Sequence, residues 1–205
     1  MKTTRSRDSS CDDDELGTVE SADRRESERV LTVYRIARIR TDQDEGLARI
    51  QNISDDGMKL QVHLPVHLGD SITIQMSDET ILKGRVIWSA GDDCGVRLDQ
   101  SVDGAALLKE LASRVRPRKA MRLPVDKTAV ATSEKGSGTV HIRDVSQRGM
   151  KVEHDGSLDE GLEVKVRLAT GLERRGVVRW SRDGIAGILL LEPFTAQELG
   201  SVNKL

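Results

Sequence analysis

The segment Asn52-Ile53-Ser54-Asp55-Asp56-Gly57, followed by the alternating run Met58-Lys59-Leu60-Gln61-Val62, decides the fold of this 205-residue chain. The chain repeats it as Asp144-Val145-Ser146-Gln147-Arg148-Gly149, followed by Met150-Lys151-Val152. In both copies a turn sequence ending in glycine leads into residues that alternate apolar and polar, which is typical of a half-buried strand. The repeat therefore predicts two copies of one β-rich unit.

A constant offset of 92 residues relates the two copies. The motif serines (146 − 54 = 92), the motif glycines (149 − 57 = 92) and the tryptophans (180 − 88 = 92) all obey it. The match runs without a gap from about Asn52–Leu98 to Asp144–Leu190. An internal duplication of this length indicates that the two halves share a fold.

Short alternating segments separated by turn sequences fill both halves. Ile72, Ile74 and Met76, for example, alternate with polar residues and are followed by the turn sequence Ser77-Asp78-Glu79. Several short antiparallel strands in so small a block are best satisfied by a closed barrel, because a barrel leaves no unpaired edge. The sequence therefore predicts an all-β protein with a minor helical part.

Two helices are expected outside the strands. Apolar residues recur at helical spacing between Ser101 and Val115, with Asp103 as the N-cap and Pro117 as the stop. The capping box Thr195-Ala196-Gln197-Glu198 predicts a second, short helix near the C-terminus. The expected domains are a disordered acidic tail (1–23), a first barrel (24–100), a linker helix (101–116) and a second barrel with a C-terminal helix (117–205).

A pair of arginines one helical turn apart precedes each motif. The pairs are Arg25 with Arg29 and Arg118 with Arg122. A guanidinium binds phosphate through two parallel hydrogen bonds and also stacks on a purine. Asn52 or Asp144 can accept the amino and imino hydrogens of a guanine edge, and the motif glycine lets a ligand approach the backbone. The combination indicates a small guanine nucleotide with phosphates.

The pattern RxxxR, followed by [D/N]xSxxG 23 and 22 residues later (52 − 29 and 144 − 122), resembles the signature of the PilZ family. Both halves carry both parts. The resemblance implies tandem six-stranded antiparallel β-barrels, each followed by a helix, that bind the bacterial second messenger cyclic di-GMP. It implies no cofactor besides that ligand, and these ligand-binding residues: Arg24, Arg25, Arg29, Asn52, Ser54, Gly57, Arg118, Arg122, Asp144, Ser146 and Gly149.

The two halves differ just before their arginine pairs. Arg24 precedes the first pair, whereas Pro117 precedes the second. In the family, an additional arginine at this place often accompanies binding of two intercalated cyclic di-GMP molecules. By resemblance the first barrel is then the candidate for a dimeric ligand. For the second barrel, a monomeric ligand, weak binding and a protein-contact role all stay open.

Two further residue types are equivalent in the halves. Lys59 and Lys151 follow the motif glycines by two residues, and we expect solvated lysines there, with a phosphate contact as the alternative. Trp88 and Trp180 continue the series of apolar residues at every second position of their strands, so we expect them in the barrel cores, with a position beside the ligand as the alternative.

Composition and isolated motifs argue against other classes. The net charge is −2, so no broad basic surface for nucleic acid is expected. The sequence has neither an apolar run long enough to span a membrane nor a signal peptide, and its two distant cysteines favour a reduced, cytoplasmic setting. His63 and His67 flank Pro65 without a third ligand, so no metal site is expected. Neither Ser54 nor Ser146 lies in a nucleophile motif, so no enzyme is expected.

We therefore expect a cytoplasmic cyclic di-GMP receptor. Ligand binding would order the arginine loops, change the arrangement of the barrels and so signal to an unidentified protein partner. A homodimer is left open. The alternatives are a protein-interaction adaptor in which one or both barrels no longer bind nucleotide, and an oligonucleotide-binding barrel, against which the near-neutral charge and scarce aromatic residues weigh.

Overall fold

The structure is a computed structural model that describes residues 31–113 and 120–205. The predictions for the acidic tail, for Arg24, Arg25 and Arg29, and for Arg118 lie outside the described residues. Arg122 and the six motif residues Asn52, Ser54, Gly57, Asp144, Ser146 and Gly149 lie within them.

The first barrel is a closed antiparallel sheet of six strands in the order β1-β2-β3-β6-β5-β4. Its alternating apolar residues point inward, and Ile50, Leu60 and Ile74 are completely buried. The strands are β1 Leu31–Arg40, β2 Glu45–Ile53, β3 Gly57–Gln61, β4 Ser71–Gln75, β5 Ile81–Ala90 and β6 Asp93–Leu98.

The second barrel has the same topology, with the closed order β10-β11-β12-β9-β8-β7. Its core is built in the same way around residues such as Ile142, Met150 and Val166. The strands are β7 Leu123–Ser133, β8 Gly136–Ser146, β9 Gly149–Glu153, β10 Glu163–Leu168, β11 Glu173–Arg182 and β12 Ile185–Leu190. Two six-stranded antiparallel barrels confirm the predicted fold class.

Both tryptophans lie on the outer barrel surface, so the prediction that they fill the cores is wrong. Trp88 is 39% exposed and Trp180 is 36% exposed. The cause is a β-bulge: Val86 pairs with Val96, but Trp88 pairs with the very next residue, Gly95. The additional residue on β5 reverses the alternation, and an equivalent shift between Val178 and Trp180 does the same on β11.

One of the two expected helices forms. Helix α1 spans Gly104–Ser113, and Asp103 caps it by accepting the Ala106 amide at 2.8 Å. The Thr195 capping box also forms, since the Glu198 amide donates to the Thr195 hydroxyl at 3.1 Å. However, the described chain makes only turns there, so the prediction of a C-terminal helix is wrong.

The C-terminal segment, residues 192–205, does not form a helix, because its backbone pairs with the first barrel. The Leu47 amide donates to the Leu199 carbonyl at 2.8 Å, and the Val202 amide donates to the Glu45 carbonyl at 2.7 Å. Leu47 of the first barrel is completely buried in the core cluster of the second. The C-terminal segment thus joins the two barrels through backbone hydrogen bonds and shared apolar packing.

Candidate ligand-binding site

The two motif turns, residues 52–57 and 144–149, are closed by their serines. The Ser146 hydroxyl donates to the Gly149 carbonyl at 3.2 Å, and the Ser54 hydroxyl donates to the Gly57 carbonyl at the same distance. Ser146 is only 2% exposed. Since each hydroxyl proton is used inside its turn, the serine oxygen offers a ligand only acceptor capacity.

The motif glycines are needed because a neighbouring strand approaches them closely. A Cβ atom on Gly57 would lie 2.9 Å from the Val96 carbonyl oxygen, and one on Gly149 would lie 3.0 Å from the Ile188 carbonyl oxygen. Neither glycine has a positive φ. The motif predicts a tight turn or a close ligand approach at these glycines, whereas the structure shows close packing of two backbones.

A pocket of about 450 Å³ opens beside the second motif turn. It brings together four residues that the sequence predicted for the site: Arg122, Asp144, Ser146 and Gly149. It also contains four charged or aromatic side chains beyond those of the signature: Arg148, Lys151, Arg179 and Trp180. This second-barrel pocket is therefore richer in cationic groups than the signature alone indicates.

A row of residues crosses four strands at the floor of the pocket. Asp144 on β8 pairs with Lys151 on β9, Lys151 pairs with Gly187 on β12, and Gly187 pairs with Trp180 on β11. Three strand spacings separate the ends of this row, or roughly 14 Å. The row thus carries a carboxylate at one end, an ammonium group in the middle and an indole at the other end.

Gly187 allows the Trp180 indole to lie across the neighbouring strand. A Cβ atom on Gly187 would lie 2.1 Å from the indole Nε1 atom, so any larger residue would displace the ring. Because the bulge places both Arg179 and Trp180 on the outer surface, a guanidinium stands next to this aromatic platform. Stacking of a base on an aromatic side chain contributes roughly 1–3 kcal/mol.

The charges of the pocket are unbalanced. Arg122, which directly precedes β7, forms an ion pair with Asp144 on β8. Among the residues that the structure describes, no carboxylate forms an ion pair with Arg148, Lys151 or Arg179, although all three line the pocket. Such an excess of positive charge in a concave surface attracts an anionic ligand.

The equivalent surface of the first barrel, here called the first-barrel face, has a different charge pattern. It is formed by Asn52, Asp56, Lys59, Ile87, Trp88 and Asp93. The Lys59 ammonium lies 2.8 Å from the Asp93 carboxylate and 6.0 Å from the centre of the Trp88 ring. Its cation therefore already has an internal anionic partner.

The offset of 92 residues identifies the substitutions responsible. Arg148 replaces Asp56, Arg179 replaces Ile87 and Ile185 replaces Asp93. Each change makes the second surface more positive than the first. The duplication gave the signal by which these residues could have been found from the sequence, but the bulge that brings Arg179 to the surface is seen only in the structure.

Two further observations concern metal binding and membrane-spanning helices. Within residues 31–113 and 120–205, no group of three or more His, Cys, Asp or Glu side chains is arranged to hold a metal ion. His63 and His67 each lie near a different aspartate, Asp92 and Asp70 respectively. No helix in the same ranges is long and apolar enough to cross a membrane.

Together the fold and the site define a class of protein: a tandem of small antiparallel β-barrels in which an exposed tryptophan lies beside each motif turn and the second turn borders a basic pocket. The PilZ domain family model matches residues 23–114 and 116–197. The chain therefore belongs to the PilZ domain family, which confirms the resemblance seen in the sequence.

The solved structures that match this chain come from several bacteria. PlzA of Borreliella burgdorferi, in complex with c-di-GMP, is 14% identical over 83% of this chain and 91% of its own, with a TM-score of 0.35. The Bacillus subtilis inhibitor of motility MotI/DgrA is 15% identical, covering 83% and 94%, with a TM-score of 0.34. YcgR of Escherichia coli, in complex with c-di-GMP, is 12% identical, covering 78% and 75%, with a TM-score of 0.27. A search of the curated proteins found no match.

Proposed function

We propose that this protein is a receptor for cyclic di-GMP and that the second barrel is its principal ligand-binding domain. The observation that carries the proposal is the second-barrel pocket, which gathers cations, a carboxylate and an exposed indole beside the motif turn. Membership of the PilZ domain family supports the identity of the ligand. The proposal makes the protein a receptor rather than an enzyme.

The pocket matches the chemistry of this ligand group by group. Cyclic di-GMP carries two phosphates and two guanines. Arg148, Lys151 and Arg179 supply positive charge for the phosphates, Asp144 supplies an acceptor for the guanine N1–H and N2–H donors, and Trp180 supplies a stacking platform. The volume of about 450 Å³ falls within the range of roughly 300–1,000 Å³ typical of small-molecule sites.

We place the stronger site in the second barrel, whereas the resemblance, through Arg24, makes the first barrel the candidate for a dimeric ligand. The described part of the first-barrel face carries Asp56 and the Lys59–Asp93 ion pair, so it presents less positive charge to a phosphate. The roles of Arg25, Arg29 and Arg118 stay predictions. A second candidate function, protein interaction, applies to the first barrel, because Ile87 and Trp88 are exposed side by side on its face.

The same motif turn is connected to the first barrel through the C-terminal segment, which supports a signalling role. The Phe194 amide donates to the Gln147 carbonyl at 2.8 Å, and the Gln147 side-chain amide donates to the Phe194 carbonyl at 3.3 Å. Five residues after Phe194, Leu199 accepts the hydrogen bond from Leu47 of β2. A ligand that orders the turn would thus bias the arrangement of the two barrels and the surface offered to a protein effector.

The proposal is tested by replacing Arg179 with the first-barrel residue. Arg179→Ile removes a pocket cation and should weaken cyclic di-GMP binding at least about tenfold, or about 1.4 kcal/mol, in isothermal titration. Arg175→Ile is the matched control, because Arg175 lies on the same strand but outside the pocket, where it pairs with Glu192. Equal affinities for the two variants would contradict the placement of the site.

A further inference from the structure

We propose that Asp93 makes the ligand affinity of the first barrel lower than that of the second, because its carboxylate occupies Lys59 in the first-barrel face. The inference rests on the proposed function and adds to it a residue that determines which barrel binds the ligand more tightly. Asp93 is a positioning residue, since it acts on the ligand through Lys59.

The Asp93 carboxylate is fixed through both of its oxygens. Its Oδ2 atom lies 2.8 Å from the Lys59 ammonium, and its Oδ1 atom accepts a hydrogen bond from the Gln51 side chain at 2.9 Å. Lys59 is also held over the Trp88 ring, 6.0 Å from its centre. The carboxylate therefore stands beside the cation and the indole that a nucleotide would need.

The second barrel has the same framework without this anion. Lys151 and Trp180 flank Gly187 as Lys59 and Trp88 flank Gly95. The residue at the position of Asp93 is Ile185, since 185 − 93 = 92. At the position of Gln51 stands Arg143, whose Nε atom lies 3.3 Å from the Glu153 carboxylate. Among the described residues no carboxylate forms an ion pair with Lys151, since its cross-strand neighbour Asp144 is paired with Arg122.

The energetic consequence follows from charge. A phosphate approaching Lys59 must displace the Asp93 carboxylate or remain beside it, and either course weakens binding. Lys59 and Asp93 are each roughly one-third exposed, so solvent screens the repulsion and limits the effect to about one order of magnitude in affinity.

Introducing an aspartate at position 185, the equivalent of position 93, tests this inference in the second barrel. Trp88→Phe leaves Trp180 as the single tryptophan, so its fluorescence reports ligand at the second barrel. On this background Ile185→Asp should weaken cyclic di-GMP binding about tenfold. Ile185→Asn, which is polar but uncharged, should change the affinity less than about twofold.

Removing the carboxylate of Asp93 tests the inference in the first barrel. Trp180→Phe leaves Trp88 as the reporter. On this background Asp93→Ile and Asp93→Asn should each strengthen binding at the first barrel about tenfold, while Asp93→Glu should keep it weak. Asp99→Leu is the control, because it removes the same charge from the exposed residue after β6 and copies Leu191 of the second barrel.

The outcomes separate the two proposals. If the Trp88→Phe parent shows no binding, the proposed function fails. If that parent binds, an unchanged affinity in Ile185→Asp or in Asp93→Asn overturns the role of Asp93. An equal gain from Asp99→Leu also overturns it, since the effect would then be one of net charge. A steeper salt dependence of binding in Asp93→Asn than in its parent supports release of Lys59 toward the phosphate.

Discussion

At the scale of single residues, the motif serines show that a signature residue can act on the fold as well as on a ligand. Ser54 and Ser146 make the same hydrogen bond in two barrels whose faces beside the motif turn differ in charge. Their shared work is therefore to close the turn that carries the neighbouring site residues. The sequence places these serines in the motif but does not show where their hydroxyl protons go.

Ser146→Ala should destabilise the second barrel by about 1 kcal/mol, because it removes one buried hydrogen bond to the Gly149 carbonyl. Urea denaturation measures the change, and Ser54→Ala is the matched substitution in the first barrel. A variant of normal stability that has lost ligand binding would instead indicate that the hydroxyl acts mainly on the ligand.

Arg122→Ala should abolish ligand binding at the second barrel and leave its fold intact. The Arg122 side chain is half exposed, so solvent screens its ion pair with Asp144 and the pair contributes little to folding stability. Titration calorimetry and a thermal melt measure the two effects separately. Unfolding of the variant would show that the arginine is structural.

The Cys94 thiol gives a prediction about pH. Burial, together with the nearby Asp93 charge, raises the pKa of Cys94 to about 11. Between roughly pH 8.5 and 11 the unfolded thiol loses its proton before the folded one, so folding stability falls as the pH rises. The loss should reach roughly 1–2 kcal/mol by pH 10 and should be absent in Cys94→Ala, which copies Ala186 of the second barrel. Equal pH dependence in both proteins would contradict this assignment.

At the scale of elements, the strands were predictable and their irregularities were not. Alternation such as that of Met58, Leu60 and Val62 locates strands, because it reflects a local choice between core and solvent. A bulge depends on the register between two strands, and the sequence of one strand alone does not determine that register. That is why Trp88 and Trp180, which continue the inward alternation of their strands, lie on the surface beside the motif turns.

Gly187→Ala should test the tryptophan platform. The added Cβ atom would lie 2.1 Å from the Trp180 Nε1 atom, so the indole must move. We expect a shift in Trp180 fluorescence and at least about fivefold weaker ligand binding, since stacking contributes roughly 1–3 kcal/mol. Gly95→Ala moves Trp88 in the same way and is the control, because it should leave the second barrel's affinity unchanged. Equal affinity in both variants would remove Trp180 from the site.

At the scale of the whole molecule, the C-terminal segment makes one unit of two barrels. Gly46 and Gly200 approach so closely that a Cβ atom on Gly46 would lie 2.0 Å from the Gly200 carbonyl oxygen. The Ser201 hydroxyl donates to Asp44 beside them, and the Asn203 amide donates to Asp44 at 3.2 Å. The capping box predicted a helix here because local sequence could not reveal a partner on the other barrel.

Gly46→Ala should loosen this joint. The substituted residue clashes with the backbone of the C-terminal segment, so we expect the barrels to unfold in two separate heat-capacity transitions rather than one. Gly138→Ala is the control, since a Cβ atom there would meet only the Ser157 side chain, at 3.8 Å. A single transition of unchanged temperature in both variants would show that the joint contributes nothing to stability.

The central claim is that the second barrel binds cyclic di-GMP, and isothermal titration of the full chain tests it most directly. GTP and cyclic di-AMP serve as ligand controls, and Arg122→Ala serves as the protein control. We predict micromolar or tighter binding that is specific for cyclic di-GMP and is lost from the second barrel in the variant. An absence of heat, or undiminished second-barrel binding in Arg122→Ala, would contradict the account.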